Sequence, residues 1–309
     1  MNAKNIVKNF GFEVEEEPIS IYPFSPVYRL ESSDGEFIVK KTRSPIQKAH
    51  RLMAFTNTLY NQGINVVIPE KISTGNPLVI DDTTYVVYPF IKGESYKGQD
   101  IEIKEAGKLL GRIHSLSSAE NEFQLDVYDV FDFTEDEVKE SFIKIVENAT
   151  LNNSVIDPEL EMRLLRAVRQ QKVLEKVGLP SVATPHDFKA NNLIYVPNPY
   201  LIDPDNAGWI PRIFDLALVL FLFHNELATA PDQPFTKKQW EIFLEGYKEN
   251  VTLTENEIHY WTQALEHVFL DDVMWLMSEG KEDWKNPVQR NLFSRLIQLL
   301  LNLEEYSLT

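Results

Sequence analysis

The sequence predicts an α+β fold of two lobes, β-rich over 1–92 and mainly helical over 93–309. Three observations predict it: strand and turn signals dominate as far as Ile91, helical spacing dominates after Gly93, and one polar, Pro- and Asn-rich interruption breaks the helices between Thr184 and Pro211. A chain of 309 residues with 43% hydrophobic composition is long enough to bury a core in each lobe.

In the first lobe, Ile19 to Leu30 and Glu36 to Lys41 are rich in aliphatic and aromatic residues. The turn cluster Ser32, Ser33, Asp34, Gly35 separates them, which predicts a hairpin. Thr83 to Ile91 predicts a later strand. Between them Ser44 and Pro45 read as N-cap and N1 of a helix, Gln47 completes a capping box, and Gly63 ends the helix. From about Gly93 the texture changes. Beyond it Ile101 to Leu116, Thr134 to Ala149, Pro158 to Val177, Ile213 to Leu227, Lys237 to Asn250, Thr254 to Ser278 and Val288 to Glu304 carry helical periodicity. Inside the interruption, Leu193 to Val196 and Tyr200 to Ile202 read as two short strands flanking a loop, the kind of place where function concentrates.

Composition narrows the function. A formal charge of −17 argues against nucleic-acid binding, which depends on Lys and Arg neutralising phosphates, and it favours a cationic small-molecule partner. With no cysteine, disulfides, thiolate metal sites and a cysteine nucleophile are excluded, so a metal must be held by oxygen or imidazole. No apolar run approaches the roughly 18 residues of a membrane span, and Met1 to Phe10 lacks a signal-peptide core. A cytoplasmic protein without a membrane partner is expected.

The interruption reads Pro185, His186, Asp187, Phe188, Lys189, Ala190, Asn191, Asn192, then Ile202, Asp203, Pro204, Asp205. Phosphoryl transfer needs a carboxylate to orient or deprotonate an acceptor hydroxyl, and oxygen ligands for magnesium on the triphosphate. An Asp followed five positions later by Asn, then a short hairpin and another Asp, supplies both. The Asp-to-Asn spacing alone is weak; the two strands, which would present Asn192 and Asp203 at neighbouring ends, strengthen it.

On these residues the chain resembles the aminoglycoside phosphotransferase and choline kinase family, which has a protein-kinase-like fold. Asp187 to Asn192 is similar to the family's catalytic loop and Ile202-Asp203 to its magnesium pair. Asp215, Leu216, Ala217 are similar to the segment whose Asp braces that loop. Ala106, Gly107, Leu110, Gly111 and His114 resemble the helix opening the second lobe, and Ser25 to Leu30 with Phe37 to Lys40 the nucleotide loop and lysine strand. The resemblance implies Asp187 as base, Lys189 against the γ-phosphate, Asn192 and Asp203 as Mg2+ ligands, Lys40 on the α- and β-phosphates, and Ser25 as a phosphate contact. The resemblance also implies a hinge near residues 88–93, where Pro89 and Ile91 would hold the base of ATP or GTP, the co-substrate. His114, His186 and His224 read as hydrogen-bonding structural residues.

The chain also departs from the family pattern. Pro185 and His186 stand where the family carries His and Gly, the phosphate loop (Pro23, Phe24, Ser25, Pro26) has no glycine cluster, and Pro45 to Gln62 contains no acid to pair with Lys40. His50 is the polar candidate for that pairing. For the acceptor, Ile258, Trp261, Leu265, Val268, Asp272 and Trp275 fall on one helical stripe. Asp272 is expected either to be held structurally, by a helix-cap N–H or an arginine such as Arg290 or Arg295, or to meet a substrate ammonium beside Trp261 or Trp275. A kinase acting on a hydroxyl of a small cationic acceptor is the leading expectation. A catalytically silent nucleotide-binding scaffold is the alternative. A protein kinase is disfavoured, because only 11 residues separate Asp203 from Asp215.

Overall fold

The computed structural model describes residues 2–22, 25–42, 44–226 and 230–309. Pro23, Phe24 and Leu227, on which the expectations for the phosphate loop and one helix partly fall, lie outside the described residues.

The chain opens with α1 (Ala3–Asn9), whose Asn2 cap accepts from the Asn5 N–H at 3.1 Å and whose Ala3, Ile6 and Val7 are buried on the sheet. The sequence reading missed it because seven residues carry too little periodicity. Strands β1 (Val27–Ser32) and β2 (Gly35–Thr42) form the expected hairpin. The predicted strand Ile19 to Leu30 is corrected: its first part doubles back, with Ser20 bridging to Tyr28 and the Ile21 N–H donating to Val27 O at 2.8 Å. With β3 (Leu78–Ile80) and β4 (Thr83–Pro89) these strands build an antiparallel sheet in the order β1-β2-β4-β3.

Between β2 and β3 lies α2 (Ile46–Asn61), which begins one residue later than the sequence suggested. Pro45 is its N-cap and no side chain caps it, while the Ser44 N–H donates to Thr42 Oγ1 at 3.1 Å; the Ser44–Gln47 capping box is therefore not formed. Gly63 ends the helix at φ +77°, a left-handed conformation that glycine adopts without strain. Leu52, Phe55 and Leu59 do not join the core under the sheet. They join the large core of the helical lobe, where Phe55 meets Phe123 edge-on at 5.4 Å. Lys48 on Asp126 at 2.6 Å and Arg51 on the Gln124 carbonyl at 2.6 Å fasten the same helix to that lobe.

Past β5 (Glu94–Ser95), α3 (Asp100–Ser115) starts at a Gln99–Glu102 capping box. Then come β6 (Asp126–Val127), α4 (Glu135–Leu151), α5 (Glu159–Leu174), β7 (Ser181–Thr184), β8 (Leu193–Val196), β9 (Asn198–Leu201) and β10 (Gly208–Pro211). The short strands pair as β6-β10-β7 and β5-β8-β9. Next, α6 (Arg212–Leu222) is buried from Ile213 to Phe221, so it reads as apolar all round and forms the centre of the lobe. It is followed by α7 (Lys237–Tyr247). Thr254 to Ser278 is corrected from one helix to α8 (Glu255–His259), α9 (Trp261–Val268), a π-helical turn Phe269–Val273 and α10 (Met274–Glu279). The last helix is α11 (Pro287–Leu301). Among the described residues no helix is long and apolar enough to cross a membrane.

The lobes meet at β9: Val67 N–H donates to Leu201 O at 2.8 Å and Leu201 N–H to Asn65 O at 2.9 Å.

Candidate active site

The catalytic-loop candidate leaves β7 at Thr184 and turns through two left-handed residues, His186 (φ +48°) and Asp187 (φ +49°). Phe188 and Ala190 are then buried, and the Ala190 N–H donates to Phe223 O at 2.8 Å, which anchors the loop on the central helix lobe. Asn192 is buried and donates its Nδ2 to the Asp187 carbonyl at 3.0 Å, closing the loop on itself. The β8–β9 hairpin brings the following Asp back: Ile202 N–H donates to Asn192 O at 3.0 Å, one residue before Asp203.

Asp187 is flanked by Lys189 Nζ at 3.2 Å and by Asn206 Nδ2 at 3.3 Å. Burial pushes the Asp187 carboxyl above its ordinary value, against the opposing pull of Lys189. Lys189 itself also contacts Glu226 at 2.8 Å. Burial lowers its affinity for a proton, but Asp187 and Glu226 more than offset this and hold the ammonium firmly charged.

Lys40 reaches across from β2. Its Nζ lies 2.5 Å from Asp203 Oδ1 and 3.0 Å from Asp205 Oδ2. Burial disfavours its charge, but the two carboxylates outweigh burial and raise its pKa. The expectation that His50 pairs with this lysine is corrected: His50 is exposed on α2, and the acids come from the opposite lobe. Asp205, with its proton affinity raised by burial, was missed, although its place two residues after Asp203 was a usable signal. Its Oδ1 is buried and has no hydrogen-bond partner among the described residues.

Below the loop, Asp215 on α6 is fully buried. Its Oδ2 accepts from Thr184 Oγ1 at 2.8 Å and from His114 Nε2 at 3.0 Å, while Oδ1 accepts from His186 Nδ1 at 3.3 Å. Burial alone would raise its pKa, but the bonds from the two histidines more than offset that and keep it ionised far below the usual carboxylate range.

The two hinge candidates sit at the sheet edge of the cleft. Pro89 pairs in register with Phe37 at the end of β4, the Phe90 N–H donates to Glu36 O at 2.9 Å, and Ile91 packs with Ile38, Val67, Val86, Tyr88 and Tyr200. This cross-lobe apolar cluster was not read from the sequence, because its members are far apart in the chain and each looks like an ordinary core residue. Ser25 lies just before β1, and its carbonyl accepts from Ser20 Oγ at 3.2 Å.

The structure separates the acceptor candidates. Asp272 and Trp275 line one open groove of about 460 Å³ with Phe133, Glu137, Asp271 and Glu279. Trp261 is elsewhere: 4% exposed, stacked on Trp240 at 5.8 Å and donating to the Tyr306 carbonyl at 2.6 Å, it is a core residue. The intervening π-helical turn rotates α10 against α9, so the sequence stripe does not persist in space. Neither expected arginine reaches Asp272, since Arg290 donates to the Trp284 carbonyl at 2.7 Å and Arg295 to Gln298 at 3.1 Å. Among the described residues Asp272 has no hydrogen-bond or ion-pair partner. Burial, reinforced by Asp271, raises its pKa to about 7.

The fold and the family agree with this geometry. Spectinomycin phosphotransferase in complex with ADP and spectinomycin superposes with a TM-score of 0.68 at 15% identity, covering 99% of each chain. A microcompartment-associated aminopropanol kinase gives 0.72 at 14% identity, again over 99% of each chain. The ethanolamine kinase of Plasmodium vivax gives 0.56 at 15% identity over 94% of this chain and 83% of that one. No curated protein shows significant sequence similarity. The model of the phosphotransferase enzyme family matches residues 23–247, from the segment before β1 to the end of α7. With the two-lobed fold of those small-molecule kinases, the chain belongs to the phosphotransferase enzyme family.

Proposed function

We propose that this phosphotransferase moves the γ-phosphoryl group of ATP or GTP to a hydroxyl of a small cationic acceptor. The observation that carries the reading is the convergence of Asp187, Lys189, Asn192, Asp203 and Lys40 at one cleft, with the partnerless Asp272 in a groove on the acceptor side. Asp187 orients the acceptor hydroxyl and takes its proton. Lys189, held at 3.2 Å from Asp187, meets the transferring group, and Lys40 meets the α- and β-phosphates. Pro89, Ile91 and the apolar cluster around Tyr88 receive the base, and Ser25 lies at the phosphate end.

The donor set fits magnesium. Asn192 commits its amide N–H to the Asp187 carbonyl, which leaves its oxygen as a donor, and Asp203 and Asp205 add carboxylates, one with a buried, unsatisfied oxygen. These are hard oxygen ligands. Among the described residues no group of three or more acids or histidines would hold a metal ion alone, so water and phosphate oxygens would have to complete its shell. Held by Asn192, Asp203 and Asp205, magnesium would supply charge neutralisation on the phosphate oxygens.

On the acceptor side, a carboxylate without a protein partner beside Trp275 favours a ligand ammonium, and a cation–π contact adds about 0.5 to 2 kcal/mol. Phosphoryl transfer from labelled ATP and GTP to a panel of hydroxylated amines, with uncharged sugars and alcohols as controls, tests the reading. Turnover confined to amines is the expected result. Preferential phosphorylation of uncharged alcohols would refute the cationic acceptor, and absence of magnesium-dependent turnover on every compound, with no nucleotide hydrolysis, would leave a silent scaffold.

A further inference from the structure

Two consecutive non-glycine residues, His186 at φ +48° and Asp187 at φ +49°, occupy the left-handed region in the catalytic loop. Each carries local backbone strain, which a glycine at the first position would avoid. A histidine kept at such a place supplies something a glycine cannot. Its ring Nδ1 donates to Asp215 Oδ1 at 3.3 Å, and among the described residues it is the donor on that oxygen, because Thr184 and His114 both serve Oδ2. Asp215 is fully buried on α6, so it is a fixed point. The bond ties the backbone one residue before Asp187 to the centre of the helical lobe.

The other half of the loop is held independently, by buried Phe188, by the Ala190 N–H on Phe223 O and by the Asn192 amide on the Asp187 carbonyl. Upstream, Thr184 is fixed by its pairing in β7 and by its bond to Asp215 Oδ2; between it and Asp187, the side-chain contact on the turn is that of His186 with Asp215 Oδ1. Besides Asp215, the acids Asp187, Asp271 and Asp272 face the ring, an environment that favours a donating ring. We propose that His186 is a positioning residue: its hydrogen bond to Asp215 locks the left-handed turn that aims the Asp187 carboxylate. This rests on Asp187 being the acting carboxylate, as in the reading above.

The test compares H186G, H186A and H186N with D187A, using full-length protein, magnesium with ATP and with GTP, the amine panel, and thermal melting. H186G relieves the backbone strain and removes the hydrogen bond, so its melting temperature should equal or exceed that of H186A. Its nucleotide KM should be unchanged and its kcat should fall about 10-fold or more, the range for losing a hydrogen bond to a charged group. Asparagine tolerates the left-handed conformation and its amide Nδ2 can donate where Nδ1 did, so H186N should recover most of the lost kcat. H186G with wild-type kcat, in preparations where D187A is inactive, would overturn the proposal; so would H186N performing no better than a folded H186G. Full activity of D187A would instead overturn the role of Asp187 itself.

Discussion

Lys40 Nζ lies 3.0 Å from Asp205 Oδ2, across the cleft between lobes and 165 positions later in the chain. The carboxylate that α2 cannot supply thus comes from the segment after the second strand hairpin. Replacing Asp205 by Asn should lower kcat/KM for the nucleotide by about 10- to 100-fold, the range for a charge-assisted hydrogen bond. His50→Ala should leave it unchanged. A nucleotide KM raised by H50A and unaffected by D205N would restore the helix as the lysine's support.

Asp203→Ala is expected to abolish transfer, and Asp187→Ala to slow it by on the order of 10² or more. The two differ in their effect on the fold. Asp187 holds φ +49°, which alanine tolerates poorly and asparagine well, so D187A should melt below D187N while both lose kcat alike. Equal kcat for D187N and wild type would remove Asp187 from the chemistry.

The contrast between these residues shows what the sequence could convey. Asp187, Asn192 and Asp203 were legible because a loop and one short hairpin carry all three, so their order in the chain is nearly their order in space. The partner of Lys40 was not, since a carboxylate on the opposite lobe leaves no periodic trace beside the lysine. Helix placement was legible from apolar spacing, yet the same spacing put Trp261 and Trp275 on one stripe. One is 4% and the other 61% exposed, because a π-helical turn between them has the composition of ordinary helix. The departure at Pro185-His186 was visible, but its consequence depends on backbone torsions that residue names do not encode.

Gly107 of α3 and Gly246 of α7 let these helices approach until backbone touches backbone. A Cβ on Gly107 would lie 2.0 Å from Phe243 O, and one on Gly246 2.0 Å from Lys104 O. Neither obstacle is a side chain that can swing away. G107A and G246A should each cost about 1–3 kcal/mol or more by prising the helices apart. Because either substitution already separates them, the double variant should lose less than the sum. Thermal melting of the three proteins checks this; two melting temperatures like the wild type's would refute the close contact.

Asp272 gives the groove a pH dependence. Burial and the neighbouring Asp271 raise its pKa from an ordinary 3.8 to about 7, so at pH 6 most of the folded protein carries it neutral and at pH 8 most carries it charged. An ammonium acceptor needs the charged form. Its KM should therefore fall by up to about tenfold between pH 6 and 8 at saturating nucleotide. Asp272→Asn should flatten that profile and raise the acceptor KM several-fold at pH 8, with nucleotide KM untouched. Stability moves the opposite way: a carboxyl that binds its proton more tightly folded than unfolded favours the fold at low pH, and that contribution is lost as pH rises from about 4 through about 7. D272N should remove this loss and melt at least as high as wild type at pH 8. A wild-type acceptor KM that is flat from pH 6 to 8, together with a lower melting temperature for D272N, would make Asp272 a structural residue and move the acceptor's ammonium to another carboxylate of the groove.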